Sequence, residues 1–312
     1  MTLRKLATFI NPKIISPKKG NDVAILFLLN ESFIPGFKTL IYSMISNNTL
    51  LDCDIIILSE DKKIFNDPLI SEISDRCIHI NDDIIAEFSR VPNDKVHESL
   101  KLNWIAKYTY LKWLIFEDYG YKKHIFIDSD ILCMRNIDEL IDSFDGDICA
   151  GPVFTEDLYK TSSGDLPLDE RERKISEFIE LDPDKIVLRN GPRLNSGVLI
   201  LNSKVLNSDF RRSLIDIAVS ENSPVEQRLI RKRIEIGDIN FQMISPYYNF
   251  HYNYLNRISA RSQIYTMNKI KLLHFIGSSA NPWMSKKESL PSILWKAYAS
   301  EAEKACDIFR WR

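Results

Sequence analysis

The chain of 312 residues has no CxxC pair: its five cysteines (Cys53, Cys77, Cys133, Cys149 and Cys306) are scattered, and any full pairing leaves one over. That argues against a disulfide framework and for reduced, buried thiols in a reducing compartment. An excess of charge is missing too. With 41 basic and 43 acidic side chains the formal charge is -2, so no global field marks a nucleic-acid binder and no nucleic-acid partner is expected. No window approaches the roughly 18 uncharged apolar residues of a spanning helix. Met1 to Lys19 spreads Arg4, Lys5, Lys13, Lys18 and Lys19 among short apolar runs, unlike the h-region of a signal peptide. The N-x-S/T tripeptides at Asn30 and Asn47 are a common pattern and do not outweigh the cysteine usage. Internal repeats and low-complexity tracts are likewise missing. A soluble cytoplasmic protein is expected.

What is present is apolar residues, 45% of the chain, enough for one large core or a main domain with a smaller lobe. They come as alternating elements. Val23 to Leu29 (VAILFLL) and Asp54 to Leu58 (DIIIL) read as strands buried on both faces, and Phe37 to Ile45 between them has helical spacing. Helices are then predicted over Ile64 to Ile73 and Lys101 to Phe116, with strands over Cys77 to Ile80 and Lys123 to Ile127. This alternation predicts a doubly wound, mostly parallel α/β sheet with ligands beyond the carboxyl ends of its strands. Thr155 to Arg193 departs from it, polar and punctuated by Pro167, Pro183 and Pro192, and reads as an insertion or lid with a short helix from Asp169 to Leu181. Val198 to Leu201 resumes as a strand, Leu206 to Val219 as a helix, and Leu272 to Ile276 is the last apolar run.

Asp128-Ser129-Asp130 directly follows an apolar strand. Two carboxylates so close raise each other's pKa unless a cation neutralises them, so a divalent ion with oxygen ligands explains the pair; the plain alternative is an acidic turn in solvent. His274 lies in a late strand, where a hydrogen-bonded core residue is the common case. Gly277-Ser278-Ser279 and then Pro282-Trp283 follow it, and such a loop offers backbone N–H groups to phosphate while the histidine completes the ion's coordination.

The segments Ala24 to Ser43, Tyr108 to Leu140, Leu194 to Asn202, Gly237-Asp238 and His274 to Trp283 occur in the order found in glycosyltransferase family eight, which the chain resembles over about residues 22 to 285. The resemblance implies a GT-A type, Rossmann-like fold and a retaining transfer of a hexose. The donor would be a nucleotide diphosphate sugar, a UDP-sugar by preference, and the acceptor a saccharide or glycolipid. It implies Mn2+, or Mg2+, held by Asp128, Asp130 and His274, with Asp128 and Ser129 also beside the nucleotide. Asn30 and Ser32 would meet the uracil and ribose, and Phe33 would stack on the base. Gly277 and Asn281 would stand near the diphosphate. Asn195 would lie near the transferred sugar, and Asp238 would bind its hydroxyls. A turn before a strand and a helix cap are the plain alternatives for those last two.

Three departures stand out. The family's aspartate is usually followed by Gln, where this chain has Ile239, leaving Asn240 to supply an amide. The family's basic residue before Leu111 is Tyr110 here, with Lys107 one turn earlier; the lysine before Pro-Trp is Asn281, with Lys286 and Lys287 downstream. Two rival readings remain: a metal-dependent phosphohydrolase or nucleotidyltransferase, and an inactive member of the same fold. The expected organisation is a catalytic domain over 1–285 and a C-terminal helical tail over 286–312. In the tail, Leu294, Tyr298, Ala302, Ala305 and Phe309 share one face. That face is expected to dock on the catalytic domain, with peripheral contact at the inner face of a membrane as the lesser alternative.

Overall fold

The computed structural model describes residues 22–92, 109–152, 158, 160–162, 164–180, 182–183, 194–222, 226–276, 281–284 and 288–310, the last four by backbone alone. Lys107, Gly277, Lys286, Lys287 and the side chain of Phe309 fall outside this description, as do parts of the expected insertion.

The main sheet draws on β1 (Val23–Leu28), β2 (Asp54–Ser59), β3 (Arg76–His79) and β4 (Lys123–Ile127). After β5 (Ile131–Cys133) it adds β6 (Ile148–Pro152), and after the hairpin of β7 (Lys160–Thr161) and β8 (Gly164–Asp165) it adds β9 (Leu194–Asn202) and β10 (Phe241–Met243). Its order is β10-β6-β9-β4-β1-β2-β3. Neighbours are parallel except at β9, which runs antiparallel to both β4 and β6. From β1 the chain winds outward through β2 and β3, whereas β4 pairs with the other side of β1. The loops leaving β1 and β4 therefore diverge and open a crevice at the carboxyl edge. Asn30 leaves β1 there, and Asp128 leaves β4.

Both sheet faces are covered, which is why the early strands carry no polar alternation. Ile25, Phe27, Ile55 and Ile57 pack against Phe37, Leu40, Ile41 and Met44 of helix α1 (Ile34–Ser46). Ala24, Leu26, Ile56 and Leu58 face the opposite way with Trp113 and Phe116.

Boundaries moved where local chemistry overrode periodicity. The helix expected over Ile64 to Ile73 is split into a 3-10 turn, Lys62–Asn66, and α2 (Pro68–Ile73). Pro68 cannot donate to a continuing helix, and the Asp67 carboxylate accepts the Leu69 and Ile70 N–H groups to start a new one. Of the helix expected over Lys101 to Phe116, the described part is residues 109–111 and a 3-10 turn, Lys112–Phe116. Later come α3 (Leu168–Ile179), α4 (Ser208–Ser220) with Asn207 as its cap, and α5 (Glu226–Ile236).

A second sheet, β11 (Phe250–His251), β12 (Leu272–His274) and β5, lies beyond β4. β12 runs antiparallel to β5 with His274 opposite Ile131. The last helix, α6 (Leu290–Arg310), packs along α1. It buries Trp295 and Ala302, and Tyr298 meets Tyr42 with ring centroids 6.3 Å apart. Among the described residues no helix is long and apolar enough to cross a membrane.

Candidate active site

The register of β5 against β12 builds the centre of the site. Asp130 ends the loop from β4 and leads straight into β5, so pairing Ile131 with His274 brings an imidazole from far along the chain to the carboxylates. The Phe275 N–H donates to the Asp130 carbonyl at 2.9 Å and fixes that approach. Oxygens of Asp128 and Asp130 and a ring nitrogen of His274 all lie within 4.8 Å of one another, a group able to hold a metal ion. His274 Nε2 is 3.1 Å from Asp130 Oδ1 and 3.9 Å from Asp128 Oδ2. On the far side of the ring, Nδ1 lies 2.7 Å from Asn249 Oδ1. Gly197 leaves room for this ring: a Cβ there would stand 2.2 Å from His274 Cε1.

Behind Asp128 sits a half-buried charge pair. Lys112, on the 3-10 turn, places Nζ 3.0 Å from Asp128 Oδ1 and 3.5 Å from the Ser196 hydroxyl. Ser196 in turn donates to Glu226 Oε2 at 2.9 Å. Glu226 opens α5 and is buried, and its Oε1 has no hydrogen-bond partner among the described residues. Burial lifts the Asp128 carboxyl above its usual range and the Asp130 charge adds to that, while Lys112 and His274 oppose it. Glu226 is raised by burial as well, against the pull of Lys112 and Ser196. Burial pushes the Lys112 ammonium down, yet the carboxylates of Asp128 and Glu226 outweigh it and leave the pKa raised. The outcome is a dense set of ionisable groups at a strand-end crevice, with valences left unused.

Other expected residues fall into three groups. Asn30, Ser32 and Phe33 line the loop after β1: Ser32 donates to Asn30 Oδ1 at 2.6 Å, and Phe33 meets Trp283 edge-on at 5.8 Å. Ser129 is buried between the two carboxylates, and Asn281 is buried just before Pro282 and Trp283. Asn195 is also at the site, but its Oδ1 is taken by the Gly197 N–H at 2.9 Å and by Asn249 Nδ2 at 2.6 Å, which makes it part of the support for His274.

Tyr110 is core. Its ring packs on Trp113 and its hydroxyl donates to the Pro92 carbonyl, so the cation brought to the carboxylates is Lys112 instead. Asp238 and Asn240 are not brought to the site at all. Phe241 pairs with Ile148, Ile148 with Leu201, and Asn202 with Lys123, which puts this turn at the amino end of β4. With about 3.3 Å per strand residue, that is roughly 15 Å from the Asp128 end. Asp238 is exposed in a left-handed turn (φ 58°) and leads into a strand instead of capping a helix. The acid that does stand at the site is Glu226, a residue with no distinguishing signal in the sequence.

The family model described as Glycosyl transferase family 8 matches residues 24–287. Among solved structures the chain is similar to the glycosyltransferase GlyE of Streptococcus pneumoniae TIGR4, at 15% identity and TM-score 0.56, covering 93% of this chain and 63% of that one. It is similar to the apo structure of the bifunctional glycosyltransferase WbbM, at 14% identity and TM-score 0.58, covering 93% and 53%. It is similar to the galactosyltransferase LgtC in complex with donor and acceptor sugar analogues, at 15% and 0.57, covering 89% and 95%. The chain thus spans less than two thirds of the GlyE chain and nearly all of the LgtC chain. No curated protein matches it. The structural likeness supports a GT-A fold, and the family match extends across both sheets and the group of Asp128, Asp130 and His274. The chain belongs to glycosyl transferase family 8.

Proposed function

We propose that this glycosyltransferase moves a hexose, with retention of anomeric configuration, from a nucleotide diphosphate sugar, a UDP-sugar by preference, to a saccharide or glycolipid acceptor. The reading rests above all on the convergence of Asp128, Asp130 and His274 beside a half-buried lysine at a sheet switch point. Two carboxylates and one imidazole fit Mn2+ well and Mg2+ less well, since the nitrogen donor suits the transition metal. Asp128, Asp130 and His274 would hold the ion, which as a Lewis acid would stabilise charge on the departing diphosphate.

The chain's own groups carry the rest. Lys112, half-buried and with its pKa raised by Asp128 and Glu226, stays protonated and offers a partly desolvated ammonium to the diphosphate, the role the resemblance assigns to a basic residue at Tyr110. The unpartnered Glu226 Oε1 accepts a hydrogen bond from a donor-sugar hydroxyl, in place of the role expected of Asp238. Gln227, next on α5, takes the place of the amide expected beside it. Asn30 and Phe33 at the mouth of the crevice suit a uracil, through an amide oxygen and an aromatic face. The acceptor hydroxyl attacks from the face of the leaving group, whose phosphate oxygen takes its proton, so no dedicated base is required.

A screen of donor hydrolysis with and without Mn2+ tests this, over UDP-glucose, UDP-galactose, UDP-N-acetylhexosamines and other nucleotide sugars. Ion-dependent release of UDP from one donor class, with the α-anomer retained by NMR, is expected. Turnover that ignores chelation, or release of phosphate in place of nucleoside diphosphate, would overturn it.

A further inference from the structure

Resting on that reading of the metal group, we infer that Asn249 is a positioning residue: it holds the His274 proton on Nδ1 and so presents Nε2 as a lone pair to a divalent cation.

One group in this cluster has a fixed polarity. The Gly197 backbone N–H can only donate, and it points at the Asn195 side chain at 2.9 Å, so the atom it meets is the amide oxygen. That oxygen also lies 2.6 Å from the Asn249 side chain, and two oxygens at that distance would repel, so Asn249 turns its NH2 toward Asn195. Its own oxygen then faces His274 Nδ1 at 2.7 Å. An amide oxygen cannot donate, so Nδ1 carries the hydrogen and a neutral ring keeps its lone pair on Nε2. Flipping the ring would forfeit both the Asn249 contact and the approach of Nε2 to Asp130 at 3.1 Å. The backbone at Gly197 thereby sets the tautomer of a histidine through two side-chain amides.

The relay is built to hold. Asn249 is fully buried, and Asn195 and His274 are nearly so, a setting in which a lost hydrogen-bond partner is costly. Asn249 follows the 3-10 turn Pro246–Tyr248 and leads into β11, which pairs with β12 and carries His274 in register with His251. A Cβ on Gly151 would press to 2.9 Å from that of Asn249, so β6 also clears space for it. Partners of this kind, on the nitrogen facing away from a cation, orient the ring and raise its basicity, and their loss costs about 10- to 100-fold in metal affinity.

Calorimetric titration of Mn2+ into the full chain, with Asn249→Ala and Asn249→Asp beside wild type, tests the inference. Asn249→Ala removes the acceptor and is expected to weaken Mn2+ about 10- to 100-fold. Asn249→Asp keeps an oxygen toward Nδ1–H while setting its second oxygen against Asn195 Oδ1, so it should bind Mn2+ less tightly than wild type but clearly more tightly than Asn249→Ala, which a merely structural role for the carboxamide would not produce. Wild-type affinity in Asn249→Ala, or equal weakness in both variants, would overturn the inference. If wild type itself binds no Mn2+, it is the metal reading that fails. The tautomer is then read directly from two-bond spectra of histidine labelled with nitrogen-15, with the ring neutral and His274 assigned by a His274→Gln variant. A proton on Nδ1 supports the inference, and one on Nε2 contradicts it.

Discussion

The two ends of the main sheet use the same residue types for different ends. At the amino edge, Lys123 is buried, and its Nζ donates to the carbonyls of Ile141 at 2.6 Å and Phe144 at 3.0 Å. Asp147 accepts from the Asn240 N–H at 2.8 Å and pairs with Lys204 at 3.0 Å. Each polar group there closes a turn. At the carboxyl edge, Lys112, Asp128, Asp130, His274 and Glu226 crowd together, burial raises the carboxyls of Asp128 and Glu226, and Glu226 Oε1 has no partner among the described residues. Unspent valence under desolvation, more than residue type, separates a site from a structural knot.

Substitutions at the two edges should therefore differ in kind. The largest effect is expected at Asp130→Asn, which removes one charge of the proposed ion group without touching the core. Turnover should fall roughly 10²- to 10³-fold with Tm nearly unchanged. Near wild-type turnover in saturating Mn2+ would erase the contrast between the edges.

Glu226→Gln comes next. It relieves the cost of a buried carboxylate while keeping an oxygen toward Ser196, so Tm should hold or rise while turnover drops about 10²-fold. A clear fall in Tm would instead class Glu226 with the structural pairs of the amino edge.

Gly197→Ala sharpens the comparison from another side, because its new methyl would overlap His274. Overpacking should cost about 1–3 kcal/mol of stability, read by denaturant unfolding. Mn2+ affinity should fall as well. The smallest effects belong to Asp238→Ala and Asn240→Ala, where kcat and KM should stay within about two-fold, as for ordinary surface positions. A strong loss of turnover in either would return this turn to the site.

The elements that were legible in the sequence show why others were not. Asp128 and Asp130 announce themselves because a β-strand ends there, and His274 because it sits in an apolar strand before a polar loop. Glu226-Gln227 gave no such signal. It begins a helix after a loop, and only the antiparallel insertion of β9, which carries Ser196, brings it to Lys112. The nearby Gly237-Asp238 matched the expected pattern better and belongs to the far edge. Lys112 was hidden by helical periodicity: the segment tightens into a 3-10 turn, which buries Tyr110 and turns the lysine toward Asp128. Asn249 lies between Tyr248 and Phe250 and gains meaning only from two sheets meeting.

The central claim is that Asp128, Asp130 and His274 form one ion site serving sugar transfer. The most direct test is calorimetric titration of Mn2+ into wild type, Asp130→Asn and His274→Ala, each with UDP present. One ion per chain in wild type, weakened at least about 10-fold in both variants, is the result expected. Equal binding by all three proteins would contradict the account.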